Sequence, residues 1–162
     1  MTNNWIAKAG AAALFATCAG FASAQTSGLS ARVGAFFPTT SSFGSTWFAG
    51  GIDYKLNSLS SAMPAGTGYW GLSADYYTFG GNSNIPVVIN YNVHESNLVF
   101  SLGAGIDFYD EPGLSSGSGT GFDAQAAVTY NFGNQPYFLQ AKYFLASRSE
   151  MRGIGVYAGY RF

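Results

Sequence analysis

The sequence predicts an all-β chain: a closed, antiparallel, up-and-down barrel of eight strands that spans a membrane, preceded by a cleavable signal peptide. Three observations predict it. The first 24 residues have the parts of an export signal. Eight segments of alternating character follow, each close to the length a tilted strand needs to cross a bilayer. The chain then stops on a strictly alternating strand whose last residue, Phe162, is aromatic.

Composition narrows the class. Charged residues make up 9% of the chain and aromatics 17%. That is too little charge for a water-exposed β surface and too much aromatic content for Gly/Ser-type disorder. The formal net charge of −1 leaves no footprint for nucleic acid. One histidine (His94) and one cysteine (Cys18) supply no metal-ligating set, so neither a metal nor a cofactor is expected.

The chain divides into a signal peptide at 1–24 and a barrel at 25–162. The basic region is only the amino terminus and Lys8, and the apolar stretch from Ala9 to Phe21 is too short to span a bilayer as a helix. Ala22-Ser23-Ala24 offers the small residues of a cleavage site, so Gln25 opens the mature chain. Phe15 and Thr17 make a poor lipobox before Cys18, which leaves lipid attachment as the minor reading. Without Cys18 the mature chain has no thiol and no disulfide.

The strands are expected at about 29–37, 47–56, 69–78, 85–94, 98–109, 121–132, 137–146 and 154–162, separated by connections rich in Gly, Ser, Asn and Pro. One face of each is apolar, from Leu29-Ala31-Val33-Ala35-Phe37 in the first to Ile154-Val156-Ala158-Tyr160-Phe162 in the last. The opposite faces carry Arg32, Asp53, Lys55, Asp75, Asp107, Asp123, Lys142 and Arg161. They also carry Gly34, Gly51, Gly71, Gly103, Gly105, Gly121, Gly155 and Gly159. The interior of an eight-stranded barrel is only wide enough for its own side chains. Small residues therefore suit the inside, and the bulky apolar face suits lipid. A soluble secreted β-barrel binder is the competing reading.

If both ends lie on the same side, the connections at 38–46, 79–84, 110–120 and 147–152 face outward. Two aromatic bands then appear. Phe37, Phe48, Tyr76, Phe108, Phe122 and Tyr143 lie toward the outer boundary, and Tyr54, Trp70, Tyr91, Phe100, Tyr130, Phe132, Tyr137, Tyr160 and Phe162 toward the inner. The connection at 56–68 is expected as a long inner turn, and nothing local explains its length.

The inward charges sum to zero, with Arg32, Lys55, Lys142 and Arg161 against Asp53, Asp75, Asp107 and Asp123. With Gln125, Ser73, Asn90, Asn92, Ser101, Thr129 and Gln140 they are expected to form a polar network that fills and closes the lumen, because buried charge must be paired. Phe36, Tyr77, Tyr109, Phe144 and Tyr157 narrow it further. A low-conductance path for water, ions or small solutes is the alternative. Some membrane barrels modify lipids with a Ser/His/acid set, but His94-Glu95-Ser96 is contiguous, points in different directions and falls at the inner end, so no enzyme is expected. Arg148 and Arg152 in the last outer connection are candidates for contact with lipopolysaccharide phosphates.

The ending Tyr160-Arg161-Phe162, with Val156 upstream on the same face, resembles the C-terminal signal by which bacterial outer-membrane barrels are recognised for assembly. Together with Ala22-Ser23-Ala24 and the eight strands, it makes the chain similar to the small outer-membrane β-barrel superfamily that includes the OmpA, OmpX and OmpW types. The resemblance is one of architecture. It implies a place in the bacterial outer membrane, surroundings of outer-membrane lipid and lipopolysaccharide, and help from periplasmic chaperones and the barrel assembly machinery during biogenesis. The long strand extensions of the OmpX pattern and the apolar lumen of the OmpW pattern are missing. A small closed barrel with an envelope-structural or interaction role remains, its oligomeric state open.

Overall fold

Alternation with a period of two puts successive side chains on opposite faces of a strand, and all eight alternating segments are strands. The computed structural model describes residues 28–40, 46–63, 66–111 and 117–162. The signal peptide at 1–24, its cleavage before Gln25 and the lipid-attachment reading of Cys18 lie outside the described residues. The strands are β1 (Leu29–Pro38), β2 (Trp47–Met63), β3 (Gly66–Phe79), β4 (Asn82–Glu95), β5 (Leu98–Glu111), β6 (Gly117–Asn131), β7 (Tyr137–Ala146) and β8 (Gly153–Arg161). Each pairs antiparallel with its neighbours in chain order, and β1 closes onto β8. Within the barrel, among the described residues, closure leaves no unpaired sheet edge.

The closing seam runs from Ser30↔Arg161 to Pro38↔Gly153, and Phe162 N donates to Leu29 O at 3.0 Å. Both ends of the strand series therefore lie at one rim, called here the terminal rim; the other is the distal rim. Within the seam, a Cβ built on Gly34 would collide with the Val156 carbonyl and come within 2.8 Å of Tyr157 Cα. Backbone cannot yield as a flexible side chain does. Gly34→Val is expected to lower stability by about 1–3 kcal/mol, read as a lower urea midpoint for the folded, heat-modifiable band on gels.

The barrel is inside-out relative to a soluble one. Leu102 is 68% exposed on the outer face, whereas Asp75, Asp107 and Asp123 are fully buried within. Strand β7 alternates without exception: Phe138, Gln140, Lys142, Phe144 and Ala146 are buried, and the residues between them exposed. Near the terminal rim the outer aromatics touch edge to face. Trp70 meets Tyr91 at 5.1 Å, Tyr130 meets Phe132 at 5.2 Å, and Tyr160 meets both Tyr137 (5.5 Å) and Phe162 (5.1 Å). Phe37, Phe48, Phe108, Phe122 and Tyr143 form the exposed distal band.

Two expectations are corrected. The segment 56–68 is not a long turn. Strands β2 and β3 continue past the barrel as a hairpin with Ser61↔Gly68, Ala62↔Thr67 and Met63↔Gly66 paired, and the register shifts between Leu56 and Ser61. The extra residues on β2 are taken up as a bulge, which lets the ladder resume. Similarly, Asp110 and Glu111 belong to β5 rather than to a connection, with Glu111 opposite Gly117. Pro86 sits within β4, and the β3–β4 ladder lapses beside it, between Ala74↔Val87 and Tyr77↔Asn84, because proline has no N–H to donate.

Candidate functional site: the filled lumen

The inward faces stack into three layers. The middle layer is ionic. Asp75 of β3 accepts from Arg32 Nε at 3.1 Å and Nη2 at 2.5 Å, and from Lys142 Nζ of β7 at 2.9 Å. Arg32 also binds Asp53 through Nη1. Arg32, Asp75 and Lys142 are buried, while the Asp53 side chain is 31% exposed. Two cations thus face two aspartates. In a low-dielectric interior such pairing is what offsets the cost of removing each charge from water. Gly51 makes room, since a Cβ there would collide with Asp75 Oδ1.

On the distal side lies an aromatic plug. Phe36 stacks on Tyr77 at 4.2 Å and meets Phe144 edge-on at 5.7 Å; Trp47 lies 5.6 Å from Phe36 and 6.0 Å from Tyr77. Tyr157, Ala49, Ala146 and Met151 complete a cluster of buried residues, with Tyr109 packed against it. Met151, fully buried, ends a short 3-10 turn, Ser149–Met151, that folds over the plug. Its carbonyl accepts from Tyr77 Oη at 2.9 Å. The turn is tied to the β1–β2 connection, because Arg152 O accepts from Thr39 N at 2.9 Å and Ser149 O accepts from Thr40 Oγ1 at 3.0 Å.

On the terminal side lies a polar hollow of about 90 Å³ whose lining includes Asp53, Asn90, Asn92, Thr129, Gln140 and Lys142. Asn90 Nδ2 donates to Ser73 at 2.8 Å, Ser101 Oγ to Asn92 at 2.6 Å, and Gln140 Nε2 to Thr129 at 2.9 Å. A hollow of this size and polarity accommodates several waters.

The structure brings together only part of the expected network. Arg32, Asp53, Asp75 and Lys142 meet. Lys55 instead lies over the Tyr69 ring at 4.7 Å, and Arg161 donates to Gln135 O at 3.1 Å in the β6–β7 turn. Asp107 receives a long side-chain bond, 3.4 Å from Asn84 Nδ2, Gln125 lies beside Asp123, and neither aspartate makes an ion pair among the described residues. Of the four inward cations and four inward aspartates, only Arg32 and Lys142 pair, with Asp53 and Asp75, because Lys55 and Arg161 sit too near the terminal rim to reach the distal aspartates. The outer arginines are likewise engaged by their own chain. Arg148 Nη2 donates to Tyr109 Oη at 3.1 Å, and Arg152 Nε donates to Ala146 O at 2.7 Å. Val156 and Tyr160 are exposed on the outer face of β8 and Phe162 is partly exposed after it.

Sequence reasoning missed Met151. The available signal was that it is the one apolar residue in the polar run Ser147–Arg152. His94 is exposed at the terminal rim, beside a turn in which Ser96 has φ 55°. Among the described residues no group of three or more His, Cys, Asp or Glu side chains is arranged to hold a metal ion.

No family model matches the chain, and no curated protein matches it. Solved structures do. The Yersinia pestis outer membrane protein Ail, in a phospholipid bilayer nanodisc, is 13% identical over 84% of this chain and 99% of its own, with a TM-score of 0.50. The outer membrane enzyme PagL is 18% identical over 82% of this chain and 95% of its own, also at 0.50. Such identities report the fold alone. The chain has the fold of the small eight-stranded outer-membrane β-barrels, with the architecture of the OmpA and OmpX type.

Proposed function

We propose that this protein is a closed barrel of the bacterial outer membrane with an envelope-structural or interaction role. The observation that carries the reading is the aromatic plug. Phe36, Tyr77 and Phe144 occupy the width of the lumen beneath Met151, and the Arg32–Asp75–Lys142 layer lies behind them. An eight-stranded interior has no spare width for a second path. The polar hollow supports a pore as the second reading, since it carries water-compatible groups as far as Lys142. Exposure of His94 at a turn supports a non-catalytic role.

Outer-membrane lipid and lipopolysaccharide are the expected surroundings, and the outward-facing Val156, Tyr160 and Phe162 are the expected contact for the assembly machinery and chaperones. The internal bonds of Arg148 and Arg152 favour a cap-bracing role over capture of lipopolysaccharide phosphate. Planar-bilayer recording of the purified barrel tests the central reading. The wild-type protein is expected to be electrically silent, and discrete, reproducible channel steps would overturn it.

A further inference from the structure

Asp107 and Asp123 are fully buried in the distal half of the lumen, and among the described residues neither makes an ion pair. The two buried cations, Arg32 and Lys142, are committed to Asp53 and Asp75. Leaving two charged carboxylates without a counter-charge in this setting is costly, so either a proton or a bound cation must offset it.

The surroundings indicate what. Asp107 and Asp123 project inward from the adjacent strands β5 and β6, and the residues opposite them, Gly121 and Gly105, have no side chain to separate them. The Asp107 carboxylate folds over β6, where a Cβ on Gly121 would collide with its Oδ1, two residues from Asp123 on the same face. Two buried amides border the pair. Asn84, fully buried, places Nδ2 3.4 Å from Asp107 Oδ2 and leaves Oδ1 without a partner. Gln125, 4% exposed and beside Asp123, leaves Oε1 without a partner. The oxygens without a partner around the pair are Asp107 Oδ1, both oxygens of Asp123, Asn84 Oδ1 and Gln125 Oε1; Gln125 Nε2 is likewise without one, and Glu111, further toward the distal rim on β5, is a third buried carboxylate with neither oxygen partnered. Neither sulfur nor imidazole is among them.

An all-oxygen set of this kind, carrying two negative charges, suits a hard divalent cation that accepts irregular geometry and both one- and two-oxygen binding from carboxylates. We propose that Asp107, Asp123, Asn84 and Gln125 form a calcium-class cation site in the distal lumen, beneath the cap. The site is also wired to the plug. Asn84 Nδ2 donates to Tyr77 Oη at 2.7 Å, and Tyr77 Oη donates to the Met151 carbonyl, so cation binding at Asn84 would steady the cap.

The test uses the mature barrel refolded in lipopolysaccharide-free detergent, with calcium chloride, magnesium chloride, potassium chloride at matched ionic strength, or chelator present from the start of refolding. Urea unfolding is read from the heat-modifiable band. At calcium one hundred times its dissociation constant, the unfolding equilibrium constant is expected to fall about a hundredfold against chelator. Magnesium is expected to do less, because it demands near-ideal octahedral ligation. The Asp107→Asn/Asp123→Asn variant is expected to lose the calcium response and to be at least as stable as wild type in chelator, since its unpaired charges are gone. An Asp110→Asn/Glu150→Gln variant, altered only at the distal exterior, is expected to keep the response. The proposal is overturned by equal stability in calcium and chelator, by a response that survives in the double-asparagine variant, or by a response that depends on Asp110 and Glu150. It is also overturned if wild type in chelator gains stability on mild acidification with no calcium effect, which would show that protons supply the charge.

Discussion

Asp75→Leu should destabilise the barrel by about 3–5 kcal/mol, the range for removing one partner of a buried charge pair. Among the described residues Asp75 is the only carboxylate that touches both buried cations, accepting two bonds from Arg32 and one from Lys142. Arg32 would keep Asp53 after the substitution. Lys142 would keep its place near the Phe144 ring, 5.6 Å away, and the field of the Asp123 carboxylate, but no carboxylate within hydrogen-bond distance. Lys142→Leu should cost less, because Asp75 then keeps Arg32. Urea midpoints of the heat-modifiable form measure both. A loss below about 1 kcal/mol for Asp75→Leu would mean that water already screens the layer, as it does for exposed pairs.

The second large effect lies in the plug. Tyr77→Ala should cost about 3–5 kcal/mol, as other large aromatic truncations in close-packed interiors do. The ring stacks on Phe36 and lies 5.1 Å from Phe144, and its hydroxyl joins Asn84 to Met151. Tyr77→Phe separates the two contributions. It keeps the ring and removes the hydroxyl, leaving the Met151 carbonyl and one Asn84 hydrogen without partners, for about 1–3 kcal/mol. Calorimetric or urea unfolding of the pair checks the division. Equal losses for both variants would place the stabilisation in the hydrogen bonds, and no loss for either would place the closure of the lumen elsewhere.

The phase of every strand was legible because one alternation runs through each and only one face is free of charge. Val33, Leu102 and Leu139 face outward and Arg32, Ser101 and Gln140 inward, as the period of two requires. The pairing of the inward charges was not legible. Arg32 and Asp75 are 43 positions apart and Asp75 and Lys142 67 apart. Whether they share a level depends on barrel stagger, which no local pattern encodes. Counting inward charges therefore grouped Asp123 with Lys142, although Lys142 is paired and Asp123 is not. The hairpin at 56–68 escaped for another reason. Its strands continue only after a bulge, and an irregular register interrupts the alternation by which a strand is recognised.

The cap has a consequence for how the molecule comes to be. The plug draws Phe36 from β1, Trp47 from β2, Tyr77 from β3, Phe144 from β7 and Tyr157 from β8. Met151 is fastened beside the first connection through contacts spanning 109 and 113 positions. Contacts so distant in sequence form late, because a long loop must close before they exist. The rings cannot interlock until β8 has met β1. A sheet still open between β1 and β8 therefore has no plug, and the distal lumen is sealed only when the last strand arrives. A settled plug is the molecule's own record that its circle is complete.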